Sequence, residues 1–204
     1  MAVQRSRRRS PICADPNGVR EARIAAGRRL LLASAAALLM IFTPPCAVGD
    51  VTDADLQAGA RALGFLDSLP HDGIVAVGIV YADAVSESKA QAQQTADRLR
   101  MIPGPNNSRF VPVLIPVETL SRTSERVDVL YLMPGVSGSA ATIAEVARQR
   151  HLLTLSDDPA CVDSHDCVLM VRSDRRVEIV LDIALADAVG VHFPSVFMML
   201  VTRK

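Results

Sequence analysis

The stretch Ile74-Val-Ala-Val-Gly-Ile-Val-Tyr81 decides the fold class of this chain. It is a continuous apolar run, rich in β-branched residues and free of charge, which is typical of a strand buried on both faces of a sheet. A second apolar run extends from Val127 to Met133 and is closed by Pro134-Gly135. A strand buried on both faces needs helices on both sides, so these runs predict an α/β domain.

Segments with helical character alternate with these strands. The 3.6-residue spacing of apolar residues predicts a first helix over Asp53–Leu69, capped by Thr52 or Asp53 and stopped by Pro70. The polar, helix-favouring segment Ser86–Met101 predicts a surface helix. A third helix is predicted over Ala140–Arg150, with Ser139 as its N-cap and basic residues at its end.

The remaining elements complete a mixed sheet. Phe110–Val117 is predicted as an edge strand because Pro112 and Pro116 cannot donate backbone hydrogen bonds. Further predicted strands are His151–Leu155 and a hairpin of Val168–Val171 and Val177–Leu181; Asp182 caps a short helix to Val189, and Pro194–Leu200 forms a last helical turn or two. We therefore expect one α/β domain over residues 50–204, three-layered, with a mixed sheet flanked by helices.

The charge of the chain is distributed unevenly. The 204 residues are 50% hydrophobic, which excludes a disordered protein, and carry 22 basic and 22 acidic residues. This neutral balance argues against nucleic-acid binding, which needs a basic face. Eight arginines but only two acids fall in residues 1–49, so the rest of the chain has 14 basic and 20 acidic residues and a net charge of −6.

Residues 1–49 are predicted to be a leader that contains a cleaved signal peptide. Arg28-Arg29 precedes an uncharged apolar run at residues 30–42, and small residues follow at Ala47-Val48-Gly49. Thirteen residues are too few to span a bilayer core, which takes about 20. Cleavage is expected after Gly49 or Ala47, which predicts export to the periplasm and no stable membrane insertion of the mature protein.

The cysteines point to a disulfide. Cys13 and Cys46 would leave with the leader, so the mature chain keeps only Cys161 and Cys167. An even pair in an oxidising compartment predicts a disulfide. The alternatives are free thiols, or a metal site that adds His165 and Asp163 or Asp166, although a five-residue spacer is unusual for zinc.

No other sequence motif indicates a catalytic, metal-binding or cofactor-binding site. Gly135-Val136-Ser137-Gly138-Ser139 lacks the final glycine of a nucleophile elbow and fits a turn into a helix, whose amides could also hold an anion. The adjacent Asp157 and Asp158 fit a turn with diverging side chains. His71, His151, His165 and His192 are scattered, and no phosphate-binding glycine loop is present. We predict no catalytic residue, metal or cofactor, and hence no enzyme.

The C-terminal half resembles the YfiR/HmsC family of periplasmic regulatory proteins. The matching segments are Leu153–Asp157, Val168–Val171, Arg176–Asp182, Ala186, Gly190–Phe193 and Ser195–Leu200, with Val127–Tyr131 upstream. The resemblance covers about Asp55 to Val201 and is specific after Val127. Three features depart from the family pattern: Ser68-Leu69-Pro70 replaces a Trp-Pro, Asp182 replaces an asparagine, and the cysteines of a second disulfide are missing.

The resemblance implies a secreted, non-enzymatic regulator in cyclic-di-GMP signalling. Its partner would be the periplasmic domain of an inner-membrane signalling protein, such as a diguanylate cyclase that it represses. The pair Cys161–Cys167 would stabilise the regulator or report oxidation. A homodimer is a further possibility, since Phe197–Val201 reads as core or as dimer surface. The alternative is a periplasmic small-ligand-binding protein, because Val127–Asp157 also resembles half a lobe of transporter substrate-binding proteins.

Overall fold

The structure, a computed structural model, describes residues 51–70 and 73–204, without the side chain of Ser86. The predicted signal peptide and His71 lie outside these residues. The described strands are β1 Gly73–Tyr81, β2 Ser108–Pro116, β3 Val129–Leu132, β4 Leu153–Ser156, β5 Leu169–Ser173, β6 Val177–Leu181 and β7 Thr202–Arg203. The helices are α1 Asp53–Leu63, α2 Ser86–Met101, α3 Ala140–Arg150, α4 Pro159–Asp163, α5 Ile183–Val189 and α6 Ser195–Leu200, with 3₁₀ turns at Pro105–Asn107, Val117–Arg122 and Ser137–Ser139.

All seven strands form one mixed sheet in the order β2-β1-β3-β4-β5-β6-β7. Strand β1 pairs in parallel with both β2 and β3, and the parallel pairing continues through β4 to β5. Strands β5 and β6 form an antiparallel hairpin, and β7 adds in parallel to β6. The α/β class with a mixed sheet and flanking helices is therefore confirmed.

Helices cover both faces of the sheet. Alternate side chains of β1, such as Val77 and Ile79, join a core that includes residues of α1, α2, α5 and α6. The intervening residue Val80 joins a second core with residues of α3, α4 and the 3₁₀ turn at Val117–Arg122. The two cores follow from the alternation of side chains along a strand, and they account for the continuous apolar character of β1.

Several predicted boundaries and caps are confirmed. Strand β2 lies at the sheet edge, as Pro112 and Pro116 predict. Thr52 caps α1 in a capping box with Asp55, and the Asp182 carboxylate accepts a hydrogen bond of 2.9 Å from the Leu185 amide at the start of α5. Gly190 ends α5 with φ of 75°, a conformation that glycine adopts without strain.

Other predictions were wrong in detail. Helix α1 ends at Leu63 rather than Leu69, because Gly64 already closes it. The side chain of Ser139 makes no capping hydrogen bond, since a 3₁₀ turn leads into α3 instead. Helix α2 is only half on the surface, because Ala92 and Ala96 are completely buried against the sheet.

Two elements near the C-terminus were not predicted, α4 and β7. The last helix is partly core and partly surface, because Phe197 is 1% exposed while Met199 and Leu200 are 78% and 68% exposed. Phe197 packs against Phe65 and Phe193, with ring centroids 5.0 and 4.7 Å away.

Among residues 51–70 and 73–204, no helix has the length and apolar character needed to cross a bilayer.

Candidate functional site

The carboxyl ends of β1, β3 and β4 meet at one edge of the sheet. From β1 the chain crosses to β2 on one side and later returns as β3 on the other side. In open α/β sheets, ligands bind outside the carboxyl ends of the strands, next to such a change of direction. The segments that follow β1 and β3 flank this change of direction, and the segment that follows β4 lies at the same edge of the sheet.

The segment after β3 forms one wall of a cleft. Gly135 has φ of 93° and turns the chain into the 3₁₀ turn Ser137–Ser139 and then α3. The Pro134 carbonyl accepts a hydrogen bond of 3.2 Å from the Ser88 hydroxyl, which fixes this segment to the start of α2. The sequence Gly135–Ser139 is thus a turn into a helix, as predicted.

The segment after β4 forms the opposite wall. The Ser156 hydroxyl donates to the Leu132 carbonyl at 3.1 Å and so joins the ends of β4 and β3. The Asp158 carboxylate caps α4 by accepting a hydrogen bond of 2.9 Å from the Ala160 amide, and Pro159 occupies the first helical position. This Asp-Pro pair is a helix-start signal, which the sequence analysis missed because it read the pair only as a turn.

The cleft between these walls has a volume of about 210 Å³. Its floor is apolar, with Leu132 and Ile143 each at most 2% exposed, and its rim carries serine hydroxyls and two carboxylates. It is lined by Leu132, Met133, Pro134, Gly135, Val136, Ser137, Ala140, Ile143, Ser156, Asp158, Ala160, Cys161, Ser164 and Asp166. An apolar cleft with a few polar groups at its rim is the usual form of a small-ligand site.

A carboxyl–phenol pair lies at the ends of β3 and β4, with Tyr131 in the core on the α1 face of the sheet rather than in the cleft. The Tyr131 hydroxyl donates to the Asp157 carboxylate at 3.3 Å. Burial raises the pKa of Asp157 to about 6; the hydrogen bonds from its own backbone amide and from Tyr131 oppose that shift, and the charges of Asp55 and Asp158 add to it. Burial, followed by the Asp157 charge, raises the pKa of Tyr131 well above 10.0. The Asp157 carboxylate accepts from Tyr131 while that of Asp158 caps α4, so the two side chains diverge, as predicted, but Asp157 is a half-buried titratable group.

Asp55 links this pair to the N-terminus of α1 and to β5. Its carboxylate accepts hydrogen bonds from the Thr52 amide and hydroxyl at 2.9 and 2.6 Å, and from the Ser173 amide. The side chain is 7% exposed. Thr52 is one of the two caps that the sequence predicts, but no local pattern indicates that Asp55 also holds α1 against β5, because Asp55 and Ser173 are 118 residues apart.

Cys161 and Cys167 are joined as a disulfide in the structure, with their Cα atoms 5.5 Å apart. Cys161 lies in α4 and on the wall of the cleft, whereas Cys167 is completely buried just before β5. The disulfide closes a short loop, here called the cystine loop, that runs over residues 161–167.

Two contacts connect the cystine loop to the end of the chain. The His165 Nδ1–H donates to the carboxylate of Asp182, the N-cap of α5, which is 1% exposed. The ammonium group of Lys204, which follows β7, binds the Asp163 carboxylate at 2.8 Å and the Asp163 carbonyl at 3.1 Å. The loop is thus held by α5 and by the C-terminal residue.

The three histidines that the structure describes are not brought together. His151 ends α3 with φ of 54°, and its Nδ1 lies 3.0 Å from the Val189 carbonyl; His192 is exposed. Within the part of the chain that the structure describes, no three His, Cys, Asp or Glu side chains are grouped so as to hold a metal ion. The alternative of a metal site at the cystine loop therefore has no ligand set there.

Comparison with known families gives a match over most of the described chain. The model of a family described as YfiR/HmsC-like matches residues 85–202, from the start of α2 to β7. No curated protein sequence matches the chain.

Solved structures share the fold at low sequence identity. An ABC domain in complex with L-Trp from Streptococcus pneumoniae has 11% identity and a TM-score of 0.53, over 73% of this chain and 61% of that one. A conserved domain protein from Vibrio cholerae has 11% identity and a TM-score of 0.55, over 72% and 59%. A ligand-free, open substrate-binding protein from Clostridium difficile has 13% identity and a TM-score of 0.50, over 64% and 54%. The chain thus spans about three fifths of the length of the first two.

Asp157→Asn is expected to stabilise the protein at neutral and alkaline pH. The ordinary pKa of an unfolded aspartate is about 3.9, whereas the folded protein holds the Asp157 proton up to about pH 6. The free energy of unfolding of the wild-type protein therefore falls as the pH rises between these two pKa values, and it stays lowered at higher pH. The partial exposure of Asp157 reduces the size of the effect. In urea unfolding, the free energy of unfolding of Asp157→Asn should exceed that of the wild-type protein by about 1–2 kcal/mol at about pH 8 and by almost nothing at about pH 4.

The exposed Asp187 of α5 offers a matched control, because Asp187→Asn makes the same chemical change on the surface. Its effect should be small and should not follow the pattern expected for Asp157. A gain for Asp157→Asn that is the same at both pH values, or a loss at the higher pH, would contradict the assignment.

The disulfide is expected to be present in the processed protein. Intact mass after alkylation under denaturing conditions should show no added alkyl group without reductant. After reduction it should show one on each of Cys161 and Cys167. Uptake on both cysteines without reductant would mean that the thiols are free.

Proposed function

Because this chain belongs to the YfiR/HmsC-like family, we propose that it is a periplasmic, non-enzymatic regulator that binds and represses a membrane-anchored signalling protein. The partner we propose is the periplasmic domain of a diguanylate cyclase, so that the chain acts in cyclic-di-GMP signalling. The observation that carries the proposal is the family match over residues 85–202, which includes, of the elements that the structure describes, every helix except α1, the strands β2 to β6 and the first residue of β7.

The position of the cystine loop supports a regulator that responds to oxidation. The loop touches three other parts of the molecule: the cleft through Cys161, α5 through His165, and the C-terminal residue through Asp163. Reduction would remove the covalent link between α4 and the start of β5. A disulfide that closes so short a loop contributes about 2 kcal/mol. Its loss would loosen the contacts with Asp182 and Lys204.

The net charge of the mature chain indicates how the chain reaches such a partner at the membrane. A net charge of −6 over residues 50–204 does not favour attachment to anionic lipid headgroups. We therefore propose that the mature protein meets the membrane protein through protein–protein contacts rather than by binding the lipid surface.

The cleft favours a second candidate, a small-ligand-binding protein. It lies at the carboxyl ends of β3 and β4, the edge at which sheets of this kind bind ligands, one strand away from the change of direction between β1 and β3. Of the solved structures with this fold, one holds L-Trp and another is a substrate-binding protein. This chain covers 61% and 54% of their lengths, so the comparison supports a binding lobe rather than a complete two-lobed receptor.

Affinity capture from solubilised membranes, with the processed protein as bait, tests both candidates. The regulator proposal expects an integral membrane signalling protein under oxidising conditions and less of it under reducing conditions. A transport permease with its ATPase would favour the ligand-binding candidate instead. If no integral membrane signalling protein is recovered in either redox state, the regulator proposal loses its support.

A variant of the bait separates the effect of the reductant on this chain from its effect on the other proteins of the extract. Cys161→Ser/Cys167→Ser removes the disulfide of this chain alone, whereas a reductant acts on every protein in the extract. If oxidation of the cystine loop controls binding, this double variant should capture as little partner under oxidising conditions as the wild-type protein does under reducing conditions. Equal capture by both baits would assign the disulfide a purely structural role.

A further inference from the structure

The charges around the cleft are all of one sign. Among the residues that line it, only Asp158 and Asp166 have charged side chains, and no lysine, arginine or histidine is present. Neither carboxylate forms an ion pair with a residue of the described ranges 51–70 and 73–204. The cleft therefore presents two negative charges that no basic side chain of these ranges neutralises.

Both aspartates are held in place by the backbone around them. The Asp158 Oδ1 atom accepts from the Ala160 amide at 2.9 Å, and the Asp158 amide donates to Ser156 Oγ at 3.2 Å. The Asp166 amide donates to the Cys161 carbonyl at 2.8 Å, within the cystine loop. Both side chains are half-buried. Groups that are positioned before binding lose less conformational freedom when a ligand arrives.

The floor of the cleft defines the rest of a ligand. Leu132, Met133 and Ile143 are each at most 2% exposed and offer an apolar surface, and no aromatic ring lines the cleft. An apolar cavity of about 150 Å³ holds a benzene molecule. On that scale the cleft, at about 210 Å³, holds a molecule of about eight non-hydrogen atoms.

A cation suits this arrangement better than an anion. The amides of the turn Gly135–Ser139 are the groups that could hold an anion, but that anion would face the carboxylates of Asp158 and Asp166 on the opposite wall. A primary ammonium group instead has three N–H donors. It can donate to both carboxylates, and hydrogen bonds between ionised groups are the stronger kind.

We propose that the cleft binds a small primary amine, whose ammonium group contacts Asp158 and Asp166 and whose aliphatic body packs on Leu132 and Ile143. The proposal rests on the candidate function in which this cleft takes a small ligand, and it adds the chemical class of that ligand. The amine is protonated at neutral pH, because an alkylammonium group such as that of lysine has a pKa of about 10.4.

Three probes of the same shape test the charge preference. Cyclohexylmethylamine, cyclohexylmethanol and cyclohexanecarboxylate share one aliphatic ring and differ only in their polar group. Each is titrated into the isotope-labelled processed protein at neutral pH, and binding is followed by amide chemical shifts. The amine should bind with a Kd of about 1 mM and shift the amides of residues 135–140 and 158–166. The alcohol should bind at least ~5-fold more weakly, and the carboxylate more weakly still.

Asp158→Asn and Asp166→Asn test the two contacts separately. Each variant removes one charge and keeps the shape of the side chain, and asparagine also caps helices well, so α4 keeps its start. Each should weaken binding of the amine ~3–10-fold and leave binding of the alcohol unchanged. Unchanged binding of the alcohol also shows that the cleft of the variant is folded. Asp187→Asn is the matched control, because it removes an exposed charge on α5, outside the cleft, and should change neither affinity.

The outcomes separate the ligand class from the candidate function. Tighter binding of the alcohol or the carboxylate at the same amides would overturn the amine class and leave the cleft a ligand site. Failure of all three probes to bind, amine-induced shifts confined to other residues, or unchanged amine affinity in both asparagine variants would also overturn the proposal. The regulator and ligand-binding candidates are decided independently by which membrane protein the bait captures.

Discussion

The burial of β1 on both faces is the constraint on which the rest of the structure depends. This strand has a parallel partner on each side, so the chain must return to the same end of the sheet each time and cross over on one of its faces. Space within this layer is tight: a Cβ atom added to Gly78 would lie 2.9 Å from Ile115 Cδ1 and 3.0 Å from Leu130 Cδ2. The parallel arrangement brings the carboxyl ends of β1, β3 and β4 together, and the cleft beside the cystine loop is the result.

Local patterns predicted most of the elements, because each pattern lies within one segment. Continuous apolar runs predicted the central strands, prolines predicted the edge position of β2, and Asp182 with Gly190 predicted both ends of α5. What was missed depends on contacts between distant segments. Strand β7 has two residues and exists only because β6 offers it an edge, and the raised pKa of Asp157 depends on its burial beside Tyr131. Helix α4 is an exception, since Asp158-Pro159 signalled its start.

The part of the chain with the clearest family character is also the part where contacts converge. The cystine loop, α5, β7 and Lys204 hold one another through Asp163, His165 and Asp182. The exposed side chains of α6 are next to these elements in the chain. A redox change in the cystine loop would thus act on α5 and on the elements next to α6, which gives the proposed regulator a physical means of responding to oxidation.

The cellular level of cyclic-di-GMP tests most directly the proposed repression of a membrane diguanylate cyclase. The measurement compares the organism that produces the protein with a strain that lacks its gene and with that strain carrying the gene again. The account predicts that cyclic-di-GMP rises when the gene is removed and returns to the original level when it is restored. An unchanged or lower level in the strain without the gene would contradict it.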